Sequence, residues 1–148
     1  MGASLMPNDN KNIEAIGKIL ALTRDGTIVW EVAKKNQIDQ TEEDVITTPF
    51  KTTYLEKNLR IYKKKYKKKI RKPSASFFYA ISAFEGDDEK NYDYRTFYKT
   101  ILEITDNFGN ALWTFPDEDI LDDLLKAVKY KASGAQDFID QLLEDSKE

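Results

Sequence analysis

The stretch "LRIYKKKYKKKIRK" at residues 59–72 decides how the fold of this chain is read, because it admits three conformations. As a helix it aligns Leu59, Tyr62, Tyr66 and Ile70 at i, i+3, i+7 and i+11. That would be a basic amphipathic segment suited to a membrane or nucleic-acid surface. As a plain strand it puts Tyr62, Tyr66 and Ile70 on one side, but Lys64 and Lys68 share that side, so no clean apolar face results. In the third reading a strand runs to about residue 64 and continues as a hairpin arm ending at "KPSAS". Period-two segments on both sides of the stretch, and the break imposed by Pro73, select the third reading.

Working outward towards the N-terminus, "FKTTYL" pairs with "LRIYKKK" as a hairpin across "EKN". "TIVWEVAK" alternates with period two, Ile28, Trp30 and Val32 on one face and Val29, Glu31 and Ala33 on the other, which predicts a strand. "NQIDQTEEDVITTP" between them reads as a polar connection. Upstream, Ile13, Ile16, Leu20 and Thr23 recur at helical spacing, with Ile19 widening the stripe. Asn10 or Asn12 is placed to cap that helix, and Gly26 to end it in a left-handed conformation. Gly17 inside the pattern keeps a β reading of residues 17–23 open.

Towards the C-terminus, "SFFYAISAFE" reads as an aromatic-rich strand and "GDDEKN" as an acidic turn. "YRTFYKTILEIT" and "NALWTF" flank "DNFG", a hairpin in which Gly109 supplies the positive φ of a bulged turn. Two helices follow. The first carries acids at its start, lysines at its end and a stripe of Leu121, Leu124, Leu125 and Val128. The second has a capping-box pattern at Ser133 and Gln136, with Phe138, Ile139, Leu142 and Leu143 expected to face inward. The fold class is therefore α+β: a single antiparallel sheet of about six strands in meander order, with one N-terminal helix and two C-terminal helices packed on it. One domain is expected over residues 10–145, preceded by a disordered extension at 1–9 and followed by a frayed tail at 146–148.

The charge is segregated. Nine positive residues and no acid lie between Arg60 and Lys72, and the rest of the chain holds 14 positive against 26 negative residues, a balance of −12. The pI of about 5.2 thus describes neither part. There is no cysteine, so disulfides and thiolate metal sites are excluded. Absence of a signal-peptide pattern, a glycosylation sequon and a long apolar run predicts a soluble, cytoplasmic protein that does not engage a membrane.

The inventory for catalysis is thin. Without histidine or cysteine the commonest general base, thiol nucleophile and transition-metal ligands are missing, and the six glycines are too scattered for a phosphate loop. Carboxylates cluster at residues 85–89, which lack calcium-loop spacing, and at 117–123, where a two-metal site is the alternative to acids placed at a helix start by the helix dipole. The expectation is no enzymatic activity, no cofactor and no metal site, with a carboxylate-dependent metal enzyme as the least favoured alternative.

What remains points to binding. The candidate partner-binding residues are Lys63, Lys64, Lys65, Tyr66, Lys67, Lys68, Lys69 and Arg71 on the basic arm, with Tyr92, Tyr94 and Tyr98 sharing strand parity opposite Phe97. The first expectation is a non-catalytic protein-interaction module of the adaptor, inhibitor or immunity and antitoxin type, binding a protein with an acidic surface; a homodimer is left open. The alternative is an accessory nucleic-acid binder that grips phosphates without reading sequence. The lysines are expected to stay solvated on an exposed, mobile arm, or to serve only as guards that keep a sheet edge from pairing with other chains.

Overall fold

The computed structural model describes residues 9–35, 38, 45–71 and 92–145. Helix α1 (Asp9–Arg24) is followed by strands β1 (Glu31–Val32), β2 (Val45–Ile46), β3 (Phe50–Tyr54), β4 (Lys57–Arg71), β5 (Tyr92–Thr105) and β6 (Ala111–Thr114), then by helices α2 (Ile120–Ala132) and α3 (Ala135–Asp145). The strands form one antiparallel sheet in the order β1-β3-β4-β5-β6, with β2 also paired to β4. The expected α+β arrangement of one sheet and three helices is what is found.

The sheet is organised by strand parity. Leu59 and Ile61 of β4, Phe50 of β3 and Leu102 of β5 point to the same side and pack against Ile16 and Leu20 of α1 and Leu121, Leu124, Leu125 and Val128 of α2. Burying each such side chain contributes about 1.5–3 kcal/mol, so this layer is the main source of stability. On the opposite side a smaller cluster joins Tyr62 and Ile101 to Ile38 and Ile46. The helical stripes read from spacing therefore hold for α1 and α2, except that Ile13 lies at the exposed edge. Gly17 is helical, and a Cβ placed there would lie in ordinary contact with Ile120, 3.6 Å away. Helix α1 begins at Asp9, ahead of both candidate caps, and Gly26 ends it at φ +87°.

Several details differ from the expectation. The "TIVWEVAK" strand shrinks to two residues because its alternation breaks after Trp30: Ile28, Trp30 and Ala33 are buried, while Val32 is exposed. The hairpin turn before β4 is Leu55-Glu56 and not "EKN", with both residues at positive φ. Strand β2 arises inside the stretch read as a polar connection, so the strand order departs from a simple meander. The predicted strand "SFFYAISAFE", the acidic turn "GDDEKN", most of the N-terminal extension and the tail at 146–148 lie outside the described residues.

Helix α3 departs most. None of its residues is buried, and Phe138, Ile139, Leu142 and Leu143 are exposed. The reason is local. Gly134 at φ +73° turns the chain away after α2, and the capping box does not form. Instead Ser133 Oγ accepts from Ala135 N–H and donates to the Tyr130 carbonyl, while Gln136 accepts from Lys131. Among the described residues no helix is long and apolar enough to cross a membrane.

Candidate functional site

The basic stretch is a strand over its whole described length. Every residue from Lys63 to Arg71 is in register with one from Thr100 to Tyr92, so the strand expected to end near residue 64 continues to Arg71, and the exposed arm beyond it is half of a β-ribbon. The physical reason lies in β5. Its "YDYRTFYKT" is rich in Tyr, Phe and Thr, side chains that favour extended backbone and supply cross-strand partners for lysine stems. At the root of the ribbon β2 pairs with Lys64 and Lys65. From Tyr66 outward β4 pairs with β5 alone among the described residues, over six residue pairs. At about 3.3 Å per residue that two-stranded part extends roughly 20 Å.

One face of the ribbon continues the side of the sheet that α1 and α2 cover. Its last buried residue is Thr100, whose hydroxyl donates to the Asp122 carboxylate at the start of α2. Beyond it lie two parallel rows. Lys65, Lys67, Lys69 and Arg71 stand directly opposite Tyr98, Thr96, Tyr94 and Tyr92. The Lys69 ammonium sits 4.3 Å from the centroid of the Tyr92 ring, and Lys63 sits 6.0 Å from that of Tyr98. These are diagonal cation–π contacts, which hold the charges beside the rings without neutralising them. Tyr94 and Tyr98 remain about 60% exposed.

The other face is arranged differently. Tyr66 stacks on Phe97 with centroids 5.8 Å apart. On either side of that stack like charges face each other: Lys64 opposite Lys99, and Lys68 opposite Arg95. Directly opposed like charges destabilise a strand pair. Arg95 and Lys99 were not among the residues singled out from sequence. Their i, i+4 spacing on a strand places them on one face, but nothing short of the register brings them to the lysines.

Arg60, counted in sequence with the basic run, does not belong to it. It is buried on that same face, with Nε 2.7 Å and Nη2 2.5 Å from Glu103 Oε1, and its Nη1 donates to the Gly109 carbonyl at 2.7 Å. Its donors are thus spent inside the fold. A half-open cleft of about 420 Å³ is lined by Arg60 together with Thr53, Asn58, Thr105 and Asp106. Asp106 accepts from the backbone N–H groups of Asn110 and Phe108 and from the Asn110 amide, and these bonds hold its carboxyl below the usual aspartate range.

Of the acidic runs, residues 85–89 lie outside the described residues, and Asp122 in the second is engaged by Thr100. Among the described residues no group of three or more acidic side chains is placed to hold a metal ion. Compared with known protein families, curated proteins and solved structures, the chain matches none. What the ribbon can do chemically follows from its own surface. It offers positive charge on both faces, exposed rings on one, and a single acid, Asp93.

Proposed function

We propose that this protein is a non-catalytic binding module that docks a polyanionic partner along the β4–β5 ribbon. The observation that carries this reading is the charge of residues 63–71 and 92–100: nine cations and one acid, in a chain whose total is −3. The remaining residues hold −11, so the positive charge is concentrated on one element of an otherwise acidic chain. At physiological salt the screening length is about 8 Å, so over a ribbon extending some 20 Å the outer cations are largely screened from charges at its root. The like-charge pairs Lys64–Lys99 and Lys68–Arg95 support the same reading, because directly opposed like charges weaken a strand pair and a bound polyanion would relieve that repulsion. The lack of histidine and cysteine supports a binding role over a catalytic one.

The test is retention on a heparin matrix at neutral pH. A protein of pI about 5.2 should flow through such a matrix. Retention that disappears on replacing Lys65, Lys67, Lys68 and Lys69 with Ser is the expected result. A wild-type protein that flows through at low salt contradicts the reading.

A second reading, contact with another protein, is favoured by a separate feature: the exposed apolar side of α3 formed by Phe138, Ile139, Leu142 and Leu143. Light scattering of the wild type against Leu142→Glu tests it. A larger mass that falls to the monomer in the variant supports a contact between copies of this chain.

A further inference from the structure

We infer that the polyanion held by the ribbon is single-stranded nucleic acid, bound along the face that carries Lys65, Lys67, Lys69 and Arg71 opposite Tyr98, Tyr94 and Tyr92. This rests on the docking reading above and names the partner of that same site. Three observations carry it.

The first is the two-row layout. Neighbouring strands lie about 4.8 Å apart, and side chains on one face of a strand repeat every 6.6–6.8 Å or so. The ribbon face therefore presents a row of four cations and, one strand away, a row of tyrosines interrupted by Thr96. A single strand has the same layout, with phosphates along one side and unpaired bases along the other. Cations that track the backbone beside rings on which bases stack are the two components of sequence-independent single-strand binding.

The second is the state of the rings. Tyr94 and Tyr98 are about 60% exposed although they lie on the same side as the hydrophobic core, because the covering helices end near Thr100. Rings that fill no core and have lysines beside them remain available for stacking. The diagonal contacts of Lys69 with Tyr92 and Lys63 with Tyr98 fix the two kinds of group side by side.

The third is the choice of cation. Seven of the nine positive residues are lysine. Lysine is depleted in protein–protein interfaces, where arginine is enriched, but it serves well as a phosphate contact. Base edges are read chiefly by Arg, Asn and Gln, and this face offers only Arg71, so binding is expected to be indifferent to sequence. A duplex would satisfy the cations but leave the tyrosines without bases to stack on.

The experiment measures affinity of the full chain by fluorescence anisotropy for labelled oligo(dT), oligo(U), a mixed-sequence duplex of the same length, and heparin, a polyanion without bases. The expected order is both single strands ahead of duplex and heparin. Replacing Tyr94 and Tyr98 together with Thr, which keeps a strand-forming residue at both positions, is expected to weaken single-strand binding at least tenfold, since each stacked base contributes about 1–3 kcal/mol. The same variant should change heparin binding less than about twofold, and Tyr94→Phe with Tyr98→Phe should restore single-strand affinity. Replacing Lys65, Lys67 and Lys69 with Ser should weaken every ligand and lower the salt slope for the single strand by about 2. Heparin or duplex bound as tightly as the single strands, or a Tyr-to-Thr variant with unchanged affinity, overturns the inference while the docking reading stands. Failure to bind any of the four overturns both. A difference between oligo(dT) and oligo(U) separates DNA from RNA as the preferred strand and supports the inference either way.

Discussion

Arg60 and Glu103 meet across β4 and β5, Nη2 2.5 Å from Oε1, and each is only 3% exposed. A buried ion pair adds little net stability, because desolvating both charges offsets their attraction. Removing one partner is another matter, since it strands the other charge and costs about 3–5 kcal/mol. Glu103→Ala is therefore expected to lower the unfolding free energy in urea by about that amount. The double variant Arg60→Met with Glu103→Leu should recover most of it, leaving a loop at 106–110 that exchanges amide hydrogens faster because Arg60 no longer holds the Gly109 carbonyl. A loss below about 1 kcal/mol for Glu103→Ala would show that water reaches the pair.

A second buried polar link joins α1 to the segment before β1. Trp30 Nε1–H donates to Thr23 Oγ1 at 3.0 Å, and the Thr23 hydroxyl donates to the Ile19 carbonyl at 2.8 Å, so the hydroxyl is used in both directions with no exposure. Valine has nearly the same shape but no oxygen. Thr23→Val leaves the indole N–H without an acceptor and should destabilise by about 1–3 kcal/mol. Thr23→Ser keeps the acceptor and should retain the Trp30 hydrogen bond. Chemical denaturation of the two variants, followed by tryptophan fluorescence, distinguishes the lost hydrogen bond from a lost methyl group.

The β3–β4 turn holds Leu55 at φ +49° and Glu56 at φ +65°. Both sit in the left-handed region, which is what a two-residue hairpin needs and what side chains other than Asn, Asp or Gly resist by roughly 1–2 kcal/mol each. Leu55 is also largely exposed, so it gains little from packing. Leu55→Asn with Glu56→Gly is expected to raise stability by about 1 kcal/mol and leave the register of β3 and β4 intact. A lower melting temperature would mean that the two residues are held there by contacts of their side chains.

Asp106 closes the β5–β6 loop through the Asn110 and Phe108 N–H groups and the Asn110 amide, which lower its pKa in the folded state. An acid whose folded pKa is depressed binds its proton more weakly when folded than when unfolded. Its contribution to stability is thus fully present above the unfolded value of about 3.9, and is lost as pH falls through the lower folded value. Asp106→Asn should melt below the wild type at pH 7, and the gap should narrow in acid below about pH 4. A gap that stays constant down to pH 2 would assign the effect to geometry alone.

The helical stripes of α1 and α2 and the "DNFG" hairpin were legible because each is written in local spacing: Ile16, Leu20 and Thr23; Leu121, Leu124, Leu125 and Val128; Gly109 at φ +89°. The ribbon was only half legible. Strand character for "YRTFYKTILEIT" follows from composition, but its register against β4 is a relation across the intervening residues 72–91 that no local pattern encodes. Arg60 shows the limit most clearly. In sequence it heads a run of like charges, and only Glu103, 43 residues on, separates it from the surface lysines. The amphipathic pattern of α3 likewise says that one side is apolar without saying what covers it, and the body of this domain does not.

Lys68 stands opposite Arg95 on the ribbon face that carries the Tyr66–Phe97 stack. Two positive charges in directly opposed positions repel, at a cost of some tenths of a kcal/mol to about 1 kcal/mol. Raising salt from about 10 mM to about 1 M shortens the screening length from roughly 30 Å to 3 Å, so the repulsion fades and the wild-type melting temperature should rise. Lys68→Glu replaces the repulsion with an attraction. It should melt higher than the wild type at low salt, lose that advantage as salt increases, and bind heparin more weakly at every salt concentration. Stability and binding therefore move in opposite directions on a single substitution, as expected where like charges are held together for an external partner. A Lys68→Glu variant that is both less stable and unchanged in heparin binding would show that this lysine serves the fold and not the ligand.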